Sequence, residues 1–192
     1  MDHGSVGKII LIGTSTGGPG HLRQIVSALD GSLDAAVVIA QHMDRVYLPS
    51  FAKQIGELCS LNVQLVSERT ILEKGRVYIC AVSMALHRCG AGAEIGPAPA
   101  EGPYNPDIDG LFASSAFLAG DMEVMGIILT GIGDDGAQGC LRLSEAGGRC
   151  IAESEESAVV YGMPKRVLEL NPGVSVLPLG KIIAAILAFG SV

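Results

Sequence analysis

The sequence predicts an α/β fold: a three-layer, doubly wound, mostly parallel sheet with helices on both faces and a small antiparallel hairpin. Three observations carry this. Short runs rich in β-branched residues are apolar at almost every position, the pattern of strands covered on both faces. Segments with helical spacing alternate with those runs, as crossover connections between parallel strands require. Hydrophobic residues make up 48% of the chain while aromatics are only 4% and Trp is absent. A core made of Val, Ile, Leu and Ala suits close-packed helix-on-sheet layers. The length of 192 residues is enough for one domain with a substantial core.

In chain order, the strand-like runs are KIILIG (8–13), AAVVIA (35–40), NVQLV (62–66), RVYIC (76–80), VMGIILT (124–130) and GRCIAE (148–153). The first helix, HLRQIVSAL (21–29), puts Leu22, Ile25, Val26 and Leu29 on one face. YLPSFAKQIGEL (47–58), DGLFASSAFLA (109–119), GAQGCLRLSEAG (136–147) and KIIAAILAF (181–189) read as helices too. Residues 86–106 break the rhythm with Gly and Pro and read as a hairpin followed by an irregular surface loop. Residues 1–6 read as a flexible tail and 7–192 as a single catalytic domain.

The formal charge is −7 with no basic cluster, which argues against nucleic acid and anionic membrane surfaces as partners. No apolar run approaches the ~20 residues that span a bilayer, and MDHGSVGK lacks the features of a signal peptide. The five cysteines, Cys59, Cys80, Cys89, Cys140 and Cys150, are odd in number and form no CxxC pair. Reduced thiols in a cytoplasmic protein, with no disulfide, metal or cofactor, are expected.

Gly13-Thr14-Ser15-Thr16-Gly17 matches G-x-S-x-G between a strand and a helix, the turn that exposes a serine nucleophile. The bland alternative is a phosphate-binding or merely structural glycine turn. A serine needs a base, and the four histidines make that search short. His3 lies in the tail, His21 begins a helix and reads as solvated, and His87 sits at the irregular segment. His42 directly follows AAVVIAQ, at the carboxyl end of a buried strand, where sites form in open α/β sheets. Asp134 and Asp135 follow VMGIILT in the same position, and a carboxylate there can orient the imidazole.

Gly131-x-Gly133-x-x-Gly136 is also formally a dinucleotide fingerprint, with Glu153, Glu155 and Glu156 downstream. Both residues before its last glycine are Asp, whose carboxylates repel a pyrophosphate where the backbone must approach it, so the motif is discounted. No histidine follows Asp109, Asp121, Asp134 or Asp135. The order serine, histidine, acid therefore points away from the common lipase and esterase plan.

Taken together, IGTSTGGP (12–19), QHM (41–43), VYI (77–79), LTGIGDDGAQG (129–139) and YGMP (161–164) resemble the catalytic domain of the chemotaxis protein-glutamate methylesterases, the CheB family. The resemblance runs from about residue 7 to about residue 190. It implies hydrolysis of γ-glutamyl methyl esters on the cytoplasmic helices of methyl-accepting chemoreceptors, with release of methanol, and deamidation of receptor glutamines. It matches the nucleophile to Ser15, the base to His42 and the acid to Asp135, leaving Asp134 at a variable position. Backbone N–H groups of Thr16 and Ile132, in a turn shaped by Gly17, are the candidate oxyanion donors.

The chain departs from the family pattern at Ala81–Ala85, at Asn105–Asp107, at Ile132 in place of Met and at Lys165 in place of Arg. Most family members carry an N-terminal receiver domain that blocks the site until phosphorylated. A stand-alone form and an excised catalytic half both fit this chain, and no phosphorylation switch is expected within it. A serine hydrolase with another ester or amide substrate, and a non-catalytic receptor- or nucleotide-binding module, are the alternative readings.

Overall fold

A computed structural model describes residues 6–191. The chain runs β1 (Lys8–Thr14), α1 (Gly18–Ala28), β2 (Ala36–Gln41), α2 (Leu48–Leu58), β3 (Asn62–Val66), β4 (Thr70–Ile71), β5 (Arg76–Cys80), β6 (Met84–Cys89), β7 (Gly92–Pro97), α3 (Ile108–Ser115), β8 (Glu123–Ile128), α4 (Ala137–Glu145), β9 (Arg149–Glu153), α5 (Met163–Leu170), β10 (Ser175–Leu177) and α6 (Leu179–Phe189). Seven strands form one sheet in the order β10-β9-β8-β1-β2-β5-β3, every pairing parallel. Strands β4, β7 and β6 form a separate antiparallel sheet. The expected doubly wound plan is the one observed.

Alternation along the central strands explains the layers. Ile9 and Leu11 of β1, with Ala36 and Val38 of β2, point to one face and pack with Ile108, Leu111 and Phe112 of α3, Cys140 and Leu143 of α4, and Val167 of α5. Ile10, Ile12, Val37 and Ile39 point to the other and pack with Leu22, Ile25 and Val26 of α1, Phe51 and Ile55 of α2, and Ile182 and Ile186 of α6. Both faces are apolar because both are covered. Each fully buried Ile, Leu or Val contributes about 1.5–3 kcal/mol relative to leaving it in water.

Differences from the sequence reading are local. The hairpin at 84–97 gains the two-residue strand β4 as a third member. Helix α5 and strand β10 are unanticipated. The helix has only eight residues, and the strand is a three-residue sheet edge without a buried apolar run. Residues 1–5 of the expected tail lie outside the described residues, and Val6 is fully buried in the core.

The β8-β1-β2 arrangement positions the site. The chain leaves β1 toward β2 and returns later to place β8 on the other side of β1. The carboxyl ends of these strands frame the crevice where the order reverses, the ordinary ligand position in such a sheet.

Candidate active site

Ser15 follows β1, His42 follows β2, and Asp135 lies in the turn between β8 and α4. Backbone hydrogen bonds carry the sheet pairing past the strand ends. His42 N–H donates to Thr14 O at 2.9 Å and Ser15 N–H to Thr130 O at 3.0 Å. The three loops are thus registered on one another before any side chain acts.

His42 Nε2 lies 2.7 Å from Asp135 Oδ2, with side chains 13% and 2% exposed respectively. An ionised carboxylate only accepts, so Nε2 carries the proton and Nδ1 keeps its lone pair. Asp135 Oδ2 also accepts from Ile108 N–H at 2.9 Å, and Oδ1 from Asp109 N–H at 2.8 Å. These are first-turn amides of α3, and the positive end of that helix compensates the buried charge.

The start of α3 is itself braced. Asp107 caps it by accepting from Gly110 N–H at 2.8 Å, and Asp107 N–H donates to Ser83 Oγ at 2.9 Å. Two segments that depart from the family pattern, 81–85 and 105–107, therefore touch each other behind the acid.

Ser15 and His42 are joined through Gln41 instead of directly. The Gln41 amide nitrogen donates to Ser15 O at 3.0 Å and to His42 O at 2.9 Å. Among the described residues Ser15 Oγ has no hydrogen-bond partner within 3.5 Å. Catalytic serine–histidine contacts are commonly longer without substrate. Gln41 is 1% exposed. Sequence reasoning counted it in the QHM motif but gave it no role, because nothing local marks a side chain that bonds two loops.

Ser15 is held at the mouth of the turn. Gly17 takes φ +86° and caps α1 with no side-chain bond. A side chain there would be strained, and its Cβ would sit 2.7 Å from Val159 Cβ. Among the described residues the N–H groups of Thr16, Gly17 and Ile132 have no acceptor. Thr16 and Gly17 lie immediately before the N-terminus of α1.

A second polar cluster supports the turn from behind, and it corrects one expectation. His21 is not solvated; it is 5% exposed within α1. Its Nε2 lies 2.8 Å from Oε1 of Glu153, which is fully buried and also accepts from Ser157 Oγ at 2.7 Å. Glu153 Oε2 accepts from Thr130 N–H at 2.8 Å, and Thr130 Oγ1 donates to Thr16 O at 2.9 Å. One of the three acidic residues that could complete the formal dinucleotide fingerprint is therefore committed to the serine loop. Replacing Glu153 with Leu leaves Thr130 N–H and the Ser157 hydroxyl without their buried acceptor and leaves His21 Nε2 only the Ser157 carbonyl. A loss of about 3–5 kcal/mol is expected, read by chemical denaturation.

His87 is exposed on β6 and takes no part in the site. Among the described residues, no group of three His, Cys, Asp or Glu is arranged to hold a metal ion.

Comparison with known proteins agrees with this architecture. The family model for the CheB methylesterase domain matches residues 10–186. The chain belongs to the CheB methylesterase family. It is 38% identical over 182 residues to the protein-glutamate methylesterase/protein-glutamine glutaminase 2 of Carboxydothermus hydrogenoformans, a match covering 91% of this chain and 51% of that protein. It is likewise 38% identical over 186 residues to the protein-glutamate methylesterase/protein-glutamine glutaminase of Moorella thermoacetica, covering 94% of this chain and 44% of that one. The chain thus spans about half the length of the curated CheB relatives it matches. The crystal structure of the Thermotoga maritima CheB methylesterase catalytic domain superposes with a TM-score of 0.87 at 31% identity, covering 95% of this chain and 98% of that one.

Proposed function

We propose that the protein is a serine hydrolase that removes methyl groups from γ-glutamyl methyl esters of methyl-accepting chemotaxis receptors. It deamidates receptor glutamines through the same intermediate. The observation that carries this reading is the His42 Nε2–Asp135 Oδ2 bond at 2.7 Å, made at the end of the strand beside the one that presents Ser15. The names of the matched relatives, which give both activities, support the substrate class.

The chemistry follows from the protons. His42 Nδ1 accepts the Ser15 hydroxyl proton as Oγ attacks the ester carbonyl. Asp135 stabilises the imidazolium formed, without itself taking the proton. The developing oxyanion is met by the N–H groups of Thr16 and Ile132, with Gly17 shaping the turn. Nδ1–H then protonates the departing methoxide, and methanol leaves. Water, deprotonated by His42, cleaves the glutamyl ester of Ser15 and restores the enzyme with glutamate as product. A glutamine substrate reaches the same acyl-enzyme with ammonia as leaving group.

The cytoplasmic helices of receptors are the proposed partner and the cytoplasm the proposed place of action. No described helix is long and apolar enough to cross a membrane.

The test is methanol release from a methylated receptor fragment beside a panel of small methyl esters. Turnover of the receptor fragment at a kcat/KM well above that of the small esters is expected. Turnover of small esters with none of the receptor fragment would overturn the substrate assignment.

A further inference from the structure

The triad reading leaves two residues beside it unused, and the structure links them. Tyr104 lies in the Pro- and Gly-rich loop before α3, and its ring is stacked on the His42 imidazole. The ring centroids are 5.1 Å apart and the planes are inclined by 3°. The phenol hydroxyl donates to Asp134 Oδ1 at 3.0 Å. Asp134 immediately precedes Asp135, which holds the His42 edge at Nε2. Two consecutive carboxylates thus restrain the histidine, one directly and one through an aromatic ring.

The loop backbone is shaped to admit the phenol. Gly133 takes φ +97°, and a Cβ at that position would stand 2.6 Å from Tyr104 Oη. The hydrogen bond to Asp134 also holds the Tyr104 hydroxyl above its ordinary pKa.

A single hydrogen bond at Nε2 leaves an imidazole able to swing about that contact. A ring lying flat on its face removes that freedom. A π face against the imidazole also favours the imidazolium that forms when Nδ1 takes the serine proton.

We propose that Tyr104, tethered by Asp134, is a positioning residue that clamps the face of His42 and keeps Nδ1 directed at Ser15. The proposal rests on the triad reading for its catalytic consequence, while the clamp itself has a readout that does not involve catalysis.

The experiment compares Tyr104→Ala, Tyr104→Phe, Asp134→Ala and the Tyr104→Phe/Asp134→Ala double variant. Methanol release from a methylated receptor fragment is measured together with the His42 ring proton shifts by NMR, assigned with His42→Ala. Tyr104→Ala is expected to lower kcat by about tenfold, because a small misplacement of a proton-transfer group is costly. KM is expected to change by less than about threefold.

Tyr104→Phe keeps the stack and restores most of the lost kcat. Asp134→Ala is expected to match Phe, and the double variant to be no worse than either single one, because both remove the same tether. The ring-current shift of His42 is expected to vanish in Tyr104→Ala and to persist in Tyr104→Phe.

Wild-type kcat in Tyr104→Ala, a loss confined to KM, or unchanged His42 shifts would each overturn the clamp. Failure of the triad reading would show separately, as methanol release retained by Ser15→Ala. If Tyr104→Ala does not fold, additive losses in the Phe and Asp134→Ala pair would overturn the proposal on their own.

Discussion

Ser15→Ala is expected to lower kcat for methanol release by at least about 10⁴-fold while leaving stability within about 0.5 kcal/mol of wild type. The separation of the two effects follows from the geometry. Ser15 Oγ makes no hydrogen bond among the described residues, so deleting it strands no buried partner. The loop is fixed by its backbone instead, through Ser15 N–H to Thr130 O and Gln41 to Ser15 O. Any residual acceleration comes from the oxyanion donors and substrate binding, which the substitution leaves in place. Methanol release within tenfold of wild type by a folded Ser15→Ala protein would remove Ser15 from the reaction.

Asp135→Asn is expected to cost comparable activity, about 10⁴-fold in kcat, by a different route. The Asp135 side chain sits among three donors: Ile108 N–H, Asp109 N–H and His42 Nε2–H. An amide brings one acceptor oxygen and an NH₂ group into that space. With its oxygen at the Oδ1 position the amide accepts from Asp109 N–H, and the NH₂ at the Oδ2 position faces both Ile108 N–H and His42, forcing the tautomer with the proton on Nδ1. That tautomer cannot take the serine proton. In the other orientation the oxygen still accepts from Ile108 N–H and His42 while the NH₂ opposes Asp109 N–H; either way a buried helix N–H loses its acceptor, a conflict costing about 1–3 kcal/mol. A fall in kcat accompanied by a Tm several degrees lower is therefore expected. Wild-type kcat in this variant would exclude the Asp135 charge from stabilising the His42 imidazolium.

The parts legible in the sequence are those written locally. β1 and β2 announce themselves because both of their faces are buried, which makes nearly every residue apolar. Ser15 and His42 are legible because each closely follows such a run; Asp135 lies in the glycine loop after another, where the family resemblance and not the local pattern separates it from Asp134. Helix α5 was missed because eight residues opening on Met163-Pro164 give too few turns to register a period.

The supporting polar groups were illegible for another reason. His21 and Glu153 are 132 residues apart in the chain and adjacent in space. Nothing near His21 distinguishes a histidine on the wet face of a helix from one aimed at a buried carboxylate. Tyr104 sits in a loop whose composition signals only a turn, and its place over His42 depends on a glycine 29 positions later. Long-range polar contacts have no periodicity, so only the folded chain displays them.

The anchoring of Asp135 has a consequence for how such a site tolerates change over generations. Its two partners at the start of α3 are main-chain amides, so the identities of residues 108 and 109 are nearly irrelevant to holding the acid. Any side chain that preserves the helix start leaves both donors in place, and among single replacements only proline deletes one outright. Substitutions that would disarm a side-chain partner leave this anchoring intact. The vulnerability moves to whatever sets the phase of the helix, which at this end means the Asp107 cap and the Ser83 hydroxyl beneath it.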